Sequence, residues 1–209
     1  MKKLMLAAAL LAVFAMAPVA QAQDIGVFAD PTGTQPTGAV IANLPFYLYV
    51  VADGLNELKA YEFSVQYPTT YFALATTPLP EATGADFASD APGFVHVQAG
   101  TGLACVTDPT TMLPGFTYEP GVFPMFRIQF FGGAPAPNDA FCAMTLQNGN
   151  NSIAAPAVGL CDDATILGLG AMTTDPNGNY ADACFIANPT FDGPVGAEDN
   201  SFGSLKARY

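Results

Sequence analysis

The stretch AYEFSVQY, residues 60–67, decides the fold of this chain. Its side chains alternate between apolar and polar with a period of two, as in a β-strand whose two faces meet different surroundings. The face predicted to point into a core carries Tyr61, Phe63, Val65 and Tyr67, and the face predicted to point to water carries Ala60, Glu62, Ser64 and Gln66. The stretch therefore indicates a sheet with one buried face.

Other strands are predicted on both sides of this stretch. Residues 46–51 are apolar at every position, which is typical of a strand inside a sandwich or beneath a loop. Residues 126–130 alternate again, with Arg127 and Gln129 between apolar neighbours. Shorter candidate strands are residues 25–28, 71–75, 94–98, 103–106, 141–146, 183–187 and 205–209.

Turn sequences separate these strands. Residues 30–33 (DPTG) and 175–178 (DPNG) carry Asp, Pro and Gly at the positions that a type I turn prefers. After residue 22 no capped stretch has the 3.6-residue period of a helix, and residues 56–59 form a single turn at most. Many short strands with turns between them predict an all-β fold, an antiparallel β-sandwich.

The first residues predict export. Lys2 and Lys3 precede an apolar run at 4–19, and Ala20-Gln21-Ala22 offers small residues to a signal peptidase. A membrane anchor is the alternative, but the run is short for a span and is interrupted by a proline. We therefore expect a signal peptide over 1–22, a single β-sandwich domain over 23–209, and a secreted or cell-surface location, with the periplasm as the alternative.

The charge of the chain excludes some classes of partner. Without the predicted signal peptide, four basic residues face 18 acidic ones, which gives a formal charge of −14. Such a surface repels phosphate backbones and anionic lipids, so nucleic-acid binding is not expected. The negative charge is compatible with divalent cations and with basic proteins as partners.

Four cysteines in an exported chain predict two disulfides, formed among Cys105, Cys142, Cys161 and Cys184. Three pairings are open. We favour Cys105 with Cys142 and Cys161 with Cys184, because each bond then closes a moderate loop, worth about 3 kcal/mol. A zinc site is disfavoured, since no two cysteines have C-x-x-C spacing and His96 is the single histidine.

Residues 58–68, LKAYEFSVQYP, and residues 71–74, YFAL, resemble a pair of strands of the cohesin family. In that family an alternating strand ends in a Tyr-Asp-Pro-type turn, and the next strand begins with an apolar pair. The resemblance extends over about 40–187. It implies a jelly-roll β-sandwich, related in architecture to some carbohydrate-binding modules, and the general role of a surface interaction module. Cohesins bind dockerin modules. The resemblance does not identify an individual binding residue in this sequence.

No catalytic residue is predicted. Nucleophilic catalysis would have to use His96, and no serine has the flanking glycines of a nucleophile elbow, so we interpret His96 as structural. The acidic pairs at 162–163 and 198–199 fall in predicted loops and are interpreted as solvated. No organic cofactor is expected.

Calcium is the one ion for which the sequence offers candidate ligands. Asp175, Asn177, Asn179 and Asp182 supply oxygen atoms at nearly alternate positions of a predicted loop. The loop has Tyr180 where an EF-hand loop needs glycine, so these residues are weak candidates, and an Asx-type turn is favoured.

Carbohydrate binding would use aromatic side chains on a sheet face. Tyr47, Tyr49, Tyr61 and Tyr67 are the candidate platform, although packing explains aromatic strands more often and the chain has no tryptophan.

The segment SLKARY, residues 204–209, alternates cleanly and predicts a C-terminal strand over about 203–209. We favour a strand that closes the sandwich. The alternative is a strand that pairs with the edge of a neighbouring copy or a secretion partner.

These patterns predict a secreted, non-enzymatic protein-interaction or structural module of an extracellular or cell-surface assembly. Its partner is expected to be another protein or a further copy of the chain. The alternative is a carbohydrate-binding module with a polysaccharide ligand, and a hydrolase ranks third.

Overall fold

The computed structural model describes residues 23–79, 85–86, 89–99, 104–144, 153–171 and 184–190. These residues form strands and one turn of 3-10 helix at Pro109–Thr111, which confirms the all-β class. The strands are β1 (Asp24–Phe28), β2 (Thr37–Gly38), β3 (Phe46–Asp53), β4 (Ala60–Gln66), β5 (Tyr71–Pro78), β6 (Ala85–Asp86), β7 (Ser89–Ala91), β8 (Phe94–Ala99), β9 (Phe123–Gly132), β10 (Asp139–Met144), β11 (Ala157–Gly159), β12 (Ile166–Gly168), β13 (Gly170–Ala171) and β14 (Cys184–Ala187). None of the described residues belongs to a helix with the length and apolar character of a membrane span.

The strands build the two sheets of a sandwich. Sheet A has the order β13-β1-β3-β9-β5. Sheet B has the order β12-β11-β4-β10-β14-β2, and β8 pairs with the other edge of β4 and carries β6 and β7. The pairings are antiparallel except β1 with β13 and β14 with β2. The predicted antiparallel β-sandwich is confirmed.

Strand β4 shows both the strength and the limit of the period-two pattern. Tyr61, Phe63 and Val65 are buried in the core, as predicted. The prediction that the other face meets water is wrong for two residues, because Glu62 is 6% exposed and Ser64 is wholly buried. The reason is the central position of β4, which has β8 along one edge and β10 and β11 along the other.

Strand β3 is covered on both faces, as its continuous apolar sequence predicts. Leu48 and Val50 point into the main core. On the outer face, Val51 packs with Phe28 and Val122 in a second, small cluster. The loops around this cluster therefore act as a partial third layer over sheet A.

An aromatic cluster fills one end of the core, and Phe141 of β10 lies at its centre. Its ring centroid is 5.0 Å from those of Tyr71 and Phe130, 5.8 Å from that of Phe46 and 6.1 Å from that of Phe185. Rings at these separations and tilts gain quadrupolar attraction beyond the area they bury. The cluster ties both sheets together.

The turn predicted at 30–33 is confirmed. The amide of Gly33 donates to the carbonyl of Asp30 at 3.4 Å, and Gly33 has a φ of +72°. Burial alone would raise the pKa of the Asp30 carboxyl, but hydrogen bonds from Thr32, Thr34 and Gln35 hold that pKa below its usual value. The turn predicted at 175–178 and the strand predicted at 205–209 lie outside the described residues.

Two sequence predictions of strands need correction. Residues 104–106 form no strand; Val106 makes a single bridge with Leu58. The chain turns there into the 3-10 helix, whose first amides are capped by the Asp108 side chain. In contrast, β11 and β12 were not predicted, because strands of three residues are too short to show a period.

The favoured disulfide pairing is also wrong. Cys142 bonds to Cys184, and Cys105 bonds to Cys161. Cys142 and Cys184 are directly opposite each other on β10 and β14. Neighbours in the sheet, and not neighbours along the chain, therefore decide the pairing. All four cysteines are consumed in these bonds, as the sequence predicts.

A pair of aspartates in sheet A is expected to make the stability of the fold depend on pH. Asp24 and Asp53 are opposite each other on β1 and β3. Burial, and then the charge of Asp53, raise the pKa of Asp24. Because the folded pKa lies above the unfolded value of about 3.9, the contribution of Asp24 to stability is present at lower pH and is lost as the pH rises through the folded pKa.

We therefore expect Asp24→Asn to raise the Tm near neutral pH and to leave it unchanged below about pH 3. Thermal unfolding of the variant and the parent at both pH values measures this. Asp30→Asn is the control of opposite sign, because the pKa of Asp30 is lowered and the ionised form stabilises the fold. Equal Tm shifts at both pH values would contradict the argument.

Candidate functional site

The outer face of sheet A exposes large apolar side chains. Strand alternation turns Tyr47 of β3 and Phe72 of β5 away from the core, with exposed fractions of 47% and 62%. Leu74, at the β-bulge between Ala73 and Ala75, is 56% exposed. Strand β9 lies between β3 and β5, so Tyr47 and Phe72 lie about two strand spacings, or about 10 Å, apart across the sheet.

A loop brings two more apolar residues to the same end of the sheet. The amide of Asn43 donates to the carbonyl of Gly132, the last residue of β9, at 2.9 Å. Its neighbours Ile41 and Leu44 are 63% and 53% exposed. We call Ile41, Leu44, Tyr47, Phe72 and Leu74 the apolar band. Grouped exposed apolar residues of this kind mark interaction surfaces.

Arg127 borders the apolar band. It projects from β9 with its guanidinium carbon 5.3 Å from the centroid of the Tyr47 ring, which is cation–π geometry. The other basic residue in the described part of the chain, Lys59, forms a salt bridge with Asp163. The apolar band therefore has a fixed aromatic anchor beside a single cation.

The first residue of β5 is held firmly beneath the apolar band. The Tyr71 ring lies over Gly132, its cross-strand partner, where an added Cβ would come within 2.4 Å of the ring. The Tyr71 hydroxyl donates to Asp139 Oδ2 at 2.8 Å, which links β5 to the start of β10. Burial, and then this carboxylate, raise the pKa of Tyr71. Strand β5 is thus anchored at one end and exposed along its outer face.

The four tyrosines considered as a carbohydrate platform do not share one surface. Tyr61 is buried in the core, and Tyr67 packs against Phe130 with a centroid distance of 5.1 Å. Tyr47 is exposed on the outer face of sheet A, and Tyr49 is partly buried against the cluster of Phe28, Val51 and Val122. The four tyrosines are divided because Tyr61 of β4 and Tyr67 just after it pack against the core, whereas β3 presents Phe46 and Leu48 there.

His96 does meet a serine, but not in an arrangement for catalysis. Ser64 Oγ lies 2.8 Å from His96 Nδ1, and the two residues are cross-strand partners on β4 and β8. Ser64 is wholly buried and His96 is 8% exposed, so the Ser64 hydroxyl has no contact with solvent. The His96 ring also stacks on Phe94 at 5.9 Å. The structural interpretation of His96 fits this environment.

The acidic pair at 162–163 has structural partners. Asp162 accepts hydrogen bonds from Thr165 Oγ1, the Thr165 amide and the Ala164 amide, and the Thr165 bonds hold its pKa below the usual value. Asp163 pairs with Lys59. Both carboxylates thus shape one loop. The pair at 198–199 lies outside the described residues.

One group has the ligand spacing of a metal site among the described residues. Glu57, Cys105 and Cys161 bring their donor atoms within 4.8 Å of one another. The two sulfurs are bonded to each other, and Glu57 Oε1 accepts from the Cys161 amide at 3.1 Å. The group is therefore a disulfide bond with a neighbouring glutamate that accepts a hydrogen bond from the Cys161 backbone. The calcium candidates Asp175, Asn177, Asn179 and Asp182 lie outside the described residues.

Sheet B carries a shallow cleft of about 130 Å³ on its surface. Glu62 and Gln98 provide its polar groups, and Ile166, 53% exposed, stands at its side. The remaining lining residues are mostly small. A single carboxylate among the lining residues does not supply the pair that glycoside hydrolysis requires.

Sequence reasoning did not find the apolar band. Residues 71–75 were predicted as a strand, but the pattern does not say which strand forms the edge of a sheet. The signal was the run Phe72-Ala73-Leu74-Ala75, which is apolar on both faces in a strand that contains no charge.

Comparison with known proteins gives likeness of structure alone. No protein-family model matches the sequence, and no relative is found among curated proteins. One similar solved structure is the cohesin module of a family 33 glycoside hydrolase from Clostridium perfringens: 10% identity, TM-score 0.48, covering 81% of this chain and 98% of that chain.

Two further similar structures are also cohesins. The non-cellulosomal cohesin of the archaeon Archaeoglobus fulgidus has 10% identity and a TM-score of 0.47, covering 84% of this chain and 96% of that chain. A type I cohesin–dockerin complex from Clostridium thermocellum has 5% identity and a TM-score of 0.46, covering 81% and 100%. The class named by the sequence resemblance, the cohesin-like β-sandwich, is also the class of these structures. At such identities the likeness assigns no partner.

Proposed function

We propose that this protein is an exported, non-enzymatic interaction module that binds another protein through the apolar band. The observation that carries the proposal is the exposure of Tyr47, Phe72 and Leu74 together on the outer face of sheet A. Covering such side chains removes apolar surface from water, at about 25 cal/mol per Å². A rigid aromatic beside an arginine is also the composition of interface hot spots.

The partner has a definite chemistry in this proposal. It presents an apolar segment with basic residues beside it, because the exported chain carries a formal charge of −14 and attracts positive charge over long range. The signal peptide predicted at residues 1–22 and the two disulfides support a location outside the cytoplasm, where such bonds persist.

The non-enzymatic part of the proposal is supported by the state of the candidate groups. Ser64 is sealed beneath its neighbours, and the described pair Asp162 and Asp163 is engaged in loop contacts. The carbohydrate-binding alternative has less support, because Tyr61 and Tyr67, two of its four candidate tyrosines, pack in the core.

Substitution of the apolar band tests this function. We expect Phe72→Ser with Leu74→Ser to lower capture of a partner from the secreted fraction of the producing organism by about tenfold or more, since each buried side chain contributes about 1.5–3 kcal/mol. Quantitative mass spectrometry of material bound to the immobilised full chain measures the loss. A dockerin module and polysaccharide are added as separate baits.

Ile166→Ser is the matched control, because Ile166 is equally exposed but lies on sheet B. It should leave capture unchanged. Capture that survives the double substitution on β5 and is lost with Ile166→Ser would move the binding surface to the cleft of sheet B. Capture by polysaccharide alone would overturn the proposal.

A further inference from the structure

Strand β5 forms an edge of sheet A that no other described residue pairs with on its outer side. Strand β5 has eight residues without a charged side chain, and it pairs only with β9 among the described strands. An edge of this length with exposed Phe72 and Leu74 is a template for an added strand, which natural proteins cover or guard with charge. Among the described strands β5 pairs with β9 alone, so the backbone groups on its other edge offer hydrogen bonds to an added strand. The exposed side chains of Phe72 and Leu74 offer apolar contacts to the same strand.

The chain leaves the described region beside this edge. Thr190, the last described residue, accepts a hydrogen bond from Asn138 Nδ2 at 2.6 Å through its hydroxyl and donates to Asn138 Oδ1 at 2.8 Å through its amide. The next residue, Asp139, accepts from the hydroxyl of Tyr71 at 2.8 Å. Residues 191–209 therefore begin near Tyr71, the first residue of β5: Thr190 contacts Asn138, and the adjacent Asp139 contacts Tyr71.

The segment 204–209 has the length and pattern to use this edge. Leu205, Ala207 and Tyr209 alternate with Lys206 and Arg208. The connection from Thr190, residues 191–203, reaches up to about 45 Å when extended, whereas β5 is about 26 Å long. The segment can therefore lie along β5 in either direction. It also has the chemistry proposed above for a partner, apolar residues with basic neighbours.

We propose that residues 204–209 add to the free edge of β5 as a strand of the same chain and cover the apolar band at Phe72 and Leu74. Leu205 and Tyr209 lie beside these two side chains. Lys206 and Arg208 lie on the other face of the strand, where Asp139, at the Tyr71 end of β5, attracts them. This inference rests on the proposed function and adds regulation to it, because the segment competes with a partner for the apolar band.

Attachment in the same chain is favoured over attachment to a second copy. The connection, residues 191–203, is short, and a short tether holds a segment near its site at an effective concentration of about the millimolar range, above the concentration of free copies. An unguarded edge then stays covered until a partner displaces the segment.

Site-specific cross-linking tests the contact directly. The full exported chain is made with p-benzoylphenylalanine in place of Tyr209, irradiated and digested. We expect the cross-link to map to residues 71–78, and in a mixture of isotopically light and heavy chains we expect it within one chain. Phe72→Ser with Leu74→Ser should reduce the cross-link several-fold, and Ile166→Ser should not. Cross-links elsewhere, or between light and heavy chains, overturn the proposal.

Competition separates this inference from the proposed function. Leu205→Ser with Tyr209→Ser, and deletion of 204–209, should each raise partner capture or self-association several-fold, and Ser204→Ala should leave both unchanged. A cross-link to β5 without any captured partner leaves the covering strand in place and removes the proposed function. Partner capture through the apolar band without that cross-link supports the proposed function and overturns the covering strand.

Discussion

Replacement of Phe141 by alanine is expected to lower the free energy of unfolding by about 3–5 kcal/mol, the range for an aromatic removed from a packed core. Phe141 is wholly buried, and its ring contacts those of Phe46, Tyr71, Phe130 and Phe185. The partners come from both sheets and cannot collapse onto a cavity without moving a strand. A loss of this size is a large share of the 5–15 kcal/mol that holds a typical domain together.

Phe72→Ala is the matched control. The residue type and the substitution are the same, but Phe72 is 62% exposed, so we expect a change within about 0.5 kcal/mol. Urea unfolding with the disulfides intact, followed by tyrosine fluorescence because the chain has no tryptophan, measures both. Similar losses for Phe141→Ala and Phe72→Ala would contradict the assignment of β10 to the core.

Removal of the disulfide between Cys142 and Cys184 is expected to cost about 4 kcal/mol. The bond closes a loop with a sequence separation of 42, and the chain-entropy model gives that magnitude for such a loop. The paired change Cys142→Ala with Cys184→Ala, compared with the parent chain in the same urea series, measures the loss.

The pairing itself has a separate readout. Digestion of the protein without reduction should yield a peptide of Cys142 joined to one of Cys184, and a peptide of Cys105 joined to one of Cys161. A peptide that joins Cys105 to Cys142 would instead support the pairing favoured by sequence spacing, and would require a different register for β10 and β14.

The strands show how far local sequence reaches. Strands β3, β4 and β9 were predicted because each contains at least five residues with a clear apolar pattern. Strands β11 and β12 were missed because three residues give no period, and they exist only because β11 pairs with β4. The water-facing side of β4 was misplaced for the same reason, since burial of Ser64 depends on the strands beside it.

The candidate surface was less accessible to sequence analysis than the fold. Among the tyrosines weighed as contact residues, the sequence could not say which would face the core, and Tyr61 and Tyr67 pack there. Phe72 and Leu74 read as ordinary strand residues. Their exposure follows from the position of β5 at the end of sheet A, which is set by its pairing with β9 some 50 residues later in the chain.

The amino-acid sequence by itself determined the class of this protein: an all-β chain with turn-separated strands and four cysteines that pair. These properties depend on residues near one another in the chain, where period, turn chemistry and composition act directly. The tertiary structure alone decided which cysteines bond, which strand lies at the edge and which apolar residues face water. Each of these depends on contacts between distant segments, and such contacts form only when the two sheets assemble around a shared core.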